Sequence, residues 1–173
     1  MDARSEQATP KNPTTSARRS DRELVVTRIV DAPPHIVYEA WTTPALLLRW
    51  WAPKSFGVVF LSCEADVRVG GTYRFVFGHP ASPEPMAFFG RYLEVTPNSR
   101  LVVTNDEAGD AGALTTVTFE ETAGRTRVVV HDLYPSKEAL DAAIASGSTG
   151  GMDETCGQLD ELLVELGVSV ERA

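Results

Sequence analysis

From Glu23 onward, apolar and polar positions follow a regular pattern whose period changes from strand-like to helix-like and back. ELVVTRIVD, residues 23–31, is rich in β-branched residues and reads as a strand. It ends at DAPP, where Pro33 and Pro34 suit a helix's first turn and Asp31 or a neighbour can cap it. HIVYEAWTT then carries Ile36, Val37, Ala40 and Trp41 at helical spacing. Thr43-Pro44 opens a second short helix, Thr as cap and Pro as first helical residue, and Pro53 closes it. Six strand-like runs follow, at 59–67, 71–78, 86–95, 100–105, 114–121 and 125–133, separated by Gly70-Gly71, HPASPEP, TPNS, DEAGDAG and TAGR. Within these runs Tyr73, Phe75 and Phe77 share one face, with Thr72 and Arg74 on the other, and Val117 and Phe119 face away from Thr116, Thr118 and Glu120. One sheet face is therefore apolar and the other meets water. PSKEALDAAIASG reads as a helix capped by Ser136 and stopped at Gly147. In the closing segment TGGMDETCGQLDELLVEL, Met152, Cys156, Leu159, Leu163 and Leu166 form an apolar stripe, and Asp153, Glu154, Asp160, Glu161 and Glu165 cover the rest.

The order is strand, two short helices, six strands, a short helix and a long one. Short strands joined by such turns favour antiparallel pairing, so the expected fold class is α+β with a seven-stranded antiparallel sheet. The one long amphipathic helix is too slim to fill the concavity of so wide a sheet. The space left over holds aromatic side chains, water or a ligand. Residues 1–22 lack hydrophobic periodicity and read as a disordered tail, with the domain over 23–168 and a short tail at 169–173.

Charge and composition narrow the function classes. Of the net −8, residues 1–22 carry +2, so the remainder carries −10. An acidic body repels phosphate backbones, which argues against nucleic acid as a partner. No run approaches the roughly 18 apolar residues of a membrane span. The first residues offer no apolar stretch for a signal peptide, so the expected compartment is the cytoplasm. Cys63 and Cys156 fit reduced thiols there.

Adjacent helix residues point about 100° apart, so Trp50 and Trp51 cannot share one narrow stripe. The candidate cavity lining comprises Trp41, Trp50, Trp51, Tyr73, Phe75, Phe77, Phe88, Phe89, Tyr92, Asn105, Val117, Phe119, Met152, Cys156 and Leu159. Phe88 and Phe89 alternate, so only one points inward. Asn105, Asp132, Arg91 and His131 are the polar residues best placed to reach the interior; Asp132 and His131 are adjacent on a strand and face opposite ways. His35, His79 and His131 are scattered and no HExxH or CxxC spacing marks a metal site. There is no GxSxG, phosphate-binding glycine loop or dinucleotide fingerprint. No catalytic residue, metal or cofactor is assigned.

The run RIVDAPPHIVYEAWTTPALLLRWWAP, with CEADVRVGGTYRF, GRYLEVTPNSRLVVTN, YPSKEALDAAIASG and GMDETCGQLDELL after it, resembles the SRPBCC (START/polyketide-cyclase-like) superfamily. Within it the likeness is to the branch related to the C-terminal domain of the activator of the heat-shock protein 90 ATPase, over about residues 24–166. The resemblance implies a helix-grip fold: a curved antiparallel sheet around a long C-terminal helix, with a cavity between them. One of the paired tryptophans would then face the cavity while the other braces the short helices. Asn105 stands where such proteins often carry Trp, leaving more room or a polar handle. Gly150, Gly151 and Gly157 in the closing segment imply a close backbone approach or space kept open. Three functions are consistent with this pattern. The first is non-enzymatic binding of a small apolar molecule. The second is co-regulation of a chaperone through the outer surface. The third is a polyketide cyclase- or dehydratase-like enzyme, which needs a convergent polar pair in the cavity. The family resemblance also allows a homodimer.

Overall fold

A computed structural model describes residues 14–146 and 152–166. Eight strands form one antiparallel sheet: β1 (Thr14–Arg18), β2 (Glu23–Val30), β3 (Val59–Ala65), β4 (Thr72–His79), β5 (Ser82–Thr96), β6 (Arg100–Thr104), β7 (Leu114–Thr122) and β8 (Arg125–Leu133). Their spatial order is β1-β2-β8-β7-β6-β5-β4-β3. Helices α1 (Pro34–Thr42) and α2 (Pro44–Trp50) join β2 to the rest, and α3 (Lys137–Ala145) and α4 (Met152–Glu165) follow β8. Among the described residues no helix is long and apolar enough to cross a membrane.

The sheet has eight strands rather than the seven expected, because Thr14–Arg18 lies within the segment read as disordered and pairs with β2 from Thr14↔Arg28 to Arg18↔Leu24. Four of its five residues are exposed, so it has no apolar face for a hydrophobic pattern to reveal. Its order comes from backbone pairing at the sheet edge. Residues 1–13, the tail at 169–173, and the helix-associated Gly147, Gly150 and Gly151 lie outside the described residues.

HPASPEP was expected to separate two strands. Instead the turn is tight: His79 pairs with Ser82, and β5 runs on through Pro83 and Pro85. The exposed end of this hairpin tolerates residues that cannot donate to a ladder. At the other end of β4, the Gly70-Gly71 turn has a specific steric cause. Gly70 takes φ +87°, and a Cβ on Gly71 would lie 2.0 Å from the Asp66 carbonyl oxygen.

Both short helices start at proline, and the N-cap residues Pro33 and Thr43 make no side-chain cap bond; Asp31, expected near the first cap, pairs with Arg125 at 3.3 Å. Their carbonyls take the first-turn N–H groups of Ile36 and Val37, and of Leu46 and Leu47. Ser136 does cap α3, its hydroxyl accepting from the Ala139 N–H at 3.1 Å. On α4 the buried residues are Thr155, Cys156, Gln158, Leu159, Leu162 and Leu163. The buried face is wider than the expected stripe and rotated from it, and Leu166 is 48% exposed. Two polar residues join that face: the Thr155 hydroxyl donates back to the Met152 carbonyl at 3.1 Å, and α2 and the following turn supply partners for Gln158, which donates to the Trp50 and Ala52 carbonyls at 2.8 and 2.9 Å and accepts from the Lys54 N–H at 2.9 Å.

Candidate functional site

The strand alternation puts Tyr73, Phe75 and Phe77 of β4 on the concave face, with Phe88 opposite Phe75. Val117 and Phe119 of β7 and Val128 of β8 lie on the same face and are buried. Two aromatic groups sit there. Under α1 and α2, Trp41 packs on Trp50 at 4.7 Å between centroids and meets Phe119 edge-on at 5.6 Å; Tyr38 meets Phe119 at the same distance. The Trp50 ring N–H donates to the Ala40 carbonyl at 3.0 Å, so Trp50 ties α2 to α1. Trp51 points elsewhere: its ring contacts Phe60, Phe75, Phe77 and Phe88 at 5.2–6.4 Å. The roughly 100° between neighbours on a helix thus divides the pair between two packing groups.

These rings fill much of the expected hollow themselves. Trp50, Tyr73, Phe75, Phe77, Tyr92, Val117, Phe119, Cys156 and Leu159 are all buried. Trp41, Trp51, Phe88 and Met152 keep partial exposure. Phe89 is not part of the lining: it pairs with Arg74 on the convex face, where the guanidinium lies 5.5 Å from its ring centre. Arg91 and His131 also face away from the interior. Arg91 binds Asp106 at 3.1 Å, and His131 binds Glu23 at 2.8 Å. A groove of about 240 Å³ lies between α2 and α4, but its walls are Arg49, Lys54, Gln158, Glu161, Leu162 and Glu165, so it is not the expected apolar pocket.

The concave face is unevenly covered. Along β7 and β8, Val117, Phe119, Thr126 and Val128 are buried. One step further on the same strands, Thr115, Val130 and Asp132 are half-buried, as are Val103 and Asn105 beside them. This open end carries a chain of hydrogen bonds across four strands or their ends. The Tyr73 hydroxyl donates to the Thr104 carbonyl at 2.7 Å and lies 3.3 Å from Asn105 Oδ1. Asn105 Nδ2 donates to the Ala113 carbonyl at 2.7 Å and to Thr115 Oγ1 at 2.8 Å. Thr115 Oγ1 in turn donates to Asp132 Oδ1. Gly90 makes the arrangement possible, since a Cβ there would lie 2.1 Å from the Thr104 oxygen and 2.9 Å from the Tyr73 ring.

Burial raises the Asp132 carboxyl above the usual aspartate range, partly offset by the Thr115 hydrogen bond. Burial also raises the Tyr73 hydroxyl, and the negative charges of Glu107, Asp106 and Asp132 add to the effect. Burial pushes the Cys156 thiol up to about 12 and the Cys63 thiol up to about 11. Neither is an activated nucleophile. Among the described residues no group of three His, Cys, Asp or Glu could hold a metal ion.

Two residues escaped the sequence reading although strand parity marks them. Thr115 shares the face of Val117 and Phe119. Arg28 shares the face of Val26 and Val30, and is 6% exposed. The Arg28 guanidinium binds Asp160 at 2.7 Å and Asp153 at 3.4 Å, and donates to Thr14 Oγ1 at 2.8 Å. The two acids are seven residues apart, two helical turns on one side of α4. Arg28 thereby pins α4 over the covered half of the sheet.

An eight-stranded antiparallel sheet carrying a long C-terminal helix on its concave face defines an α+β protein of the helix-grip kind. The family model "Activator of Hsp90 ATPase homolog 1-like protein" matches residues 31–164, and the chain belongs to this family of the SRPBCC superfamily. A Rhodobacter sphaeroides protein of known structure is 27% identical, with 89% of this chain and 99% of that one covered and a TM-score of 0.81. A Chromobacterium violaceum structure is 31% identical over 83% and 97% of the two chains, with a TM-score of 0.69. An AHSA1-like protein from Aeromonas hydrophila shares the fold at 20% identity, 86% and 98% coverage and a TM-score of 0.66. A search of curated proteins found no match.

Proposed function

We propose that the protein binds a small apolar molecule between the sheet and α4, without catalysing a reaction. The ligand enters at the end where Val103, Thr115, Val130 and Asp132 remain half-buried. The carrying observation is the contrast along β7 and β8, from buried Val117, Phe119 and Val128 to those half-buried neighbours on the same face. Apolar surface left partly wet beside a packed aromatic group gains most from a ligand that removes it from water. The test is a thermal-shift screen of rigid apolar molecules, followed by tryptophan emission. Binding to the folded state raises the melting temperature. A screen in which no member moves either the melting temperature or the emission overturns the reading.

The family's description supports a second reading, contact with a chaperone ATPase. The convex edge favours it: Val59 and Leu61 of edge strand β3 are 56% and 55% exposed. Leu61→Asp would then abolish any stimulation of a chaperone's ATPase rate, and absence of stimulation by the unaltered protein removes this reading. For the enzymatic alternative, Asp132 is an acidic group at the open end, but its hydrogen-bonded chain supplies no opposing base.

A further inference from the structure

Building on the binding role above, we infer that the open end of the trough selects apolar ligands whose polar group is a hydrogen-bond donor, an amine above all, through Asp132. The direction of the hydrogen-bonded chain carries this. The Ala113 carbonyl can only accept, so the amide nitrogen of Asn105 must face it and the amide oxygen must face Tyr73. The second amide hydrogen goes to Thr115 Oγ1, and the single Thr115 hydrogen goes on to Asp132. The Tyr73 hydrogen is held by the Thr104 carbonyl. Every donor in the chain is therefore spent inside the protein, and the unused capacity is that of an acceptor, concentrated on the Asp132 carboxylate.

The charges around Asp132 point the same way. Among the described residues no Lys or Arg forms an ion pair with it. His131, its neighbour on β8, faces the opposite side and holds Glu23; its charge favours the Asp132 carboxylate, but less than burial opposes it. Leu24 pairs with Asp132 from β2, and Thr115 from β7. Toward Tyr73, Glu107 and Asp106 add negative charge; Asp106 is paired outward with Arg91, and the Glu107 carboxylate accepts from the Phe89 N–H. A ligand carboxylate would meet a row whose donors are already bonded within the protein. A ligand amine brings both hydrogens and charge, and the Val103 and Val130 side chains flank its apolar part.

The test uses naphthalenes carrying an aminomethyl, hydroxymethyl, methyl or carboxylate group at one ring position, titrated calorimetrically into the intact protein. The expected order is amine tightest, alcohol next and carboxylate weakest, with about tenfold or more between amine and carboxylate. Asp132→Asn keeps the shape, and with Thr115 still bonded to its oxygen it presents an N–H to the trough. It should weaken the amine and strengthen the carboxylate. Melting curves show whether that variant folds. If it does not, salt dependence on the unaltered protein decides: sodium chloride should weaken the amine and leave the methyl compound unchanged. Equal binding of amine and carboxylate, an order unchanged in folded Asp132→Asn, or a salt-insensitive amine overturns the inference while the apolar-binding role stands. If no naphthalene binds, the inference falls; the broader screen above separately decides the binding role.

Discussion

The two ends of the concave face are built from the same strands yet have opposite characters. At the covered end, Phe119 and Val128 are buried, and the buried guanidinium of Arg28 is consumed by carboxylates from the helix above it. At the open end, Asn105, Thr115 and Asp132 form a row hydrogen-bonded among the strands, which among the described residues no helix side chain joins. The difference comes from where one 14-residue helix crosses an eight-stranded sheet. Sheet alternation supplies an inward face everywhere; only the helix decides which part of it becomes core.

The comparison is broken most directly by paired truncations. Phe119→Ala should cost about 3–5 kcal/mol, whereas Val103→Ala, at a half-exposed site, should cost roughly 1 kcal/mol or less. Urea unfolding of the two variants measures the contrast, and equal losses would erase it. Arg28→Met removes the ion pairs to Asp160 and Asp153 and should cost about 2–3 kcal/mol, less than for a fully buried pair because Asp160 is about one-third exposed. Hydrogen exchange should then quicken in α4 before it does in β4.

Gly157→Ala should stabilise by up to about 1 kcal/mol, because the position is inside a helix. A Cβ there would meet nothing within 4 Å, so the expected close backbone approach is absent. The smallest effect concerns the thiols. With both raised, their thiolate fractions at pH 8 lie below that of a free cysteine. Disulfide-exchange labelling should therefore be slow in the folded protein and speed up as pH rises. Cys63, partly exposed, should react before fully buried Cys156.

Element order and the apolar face were legible because β4 and β7 alternate over their aromatic and valine positions and because proline marks the start of each short helix. Strand β1 was not, since TTSAR buries almost nothing and owes its order to pairing across a turn. At the candidate site, parity could place Thr115 on the inward face, but the direction of its bonds depends on the Ala113 carbonyl and on Asp132, 17 residues further on. The placement of Arg28 depends on acids 125 and 132 residues away. Such distant pairings leave no local period. The filling of the hollow was equally hidden, because Trp51 reaches β3, β4 and β5 from a helix end.

The same guanidinium that secures α4 also grips Thr14 on the first strand. One side chain therefore splices the first described strand to the last described helix. Loosening either of these elements will be felt at the other, so the edge strand and the closing helix cannot vary independently.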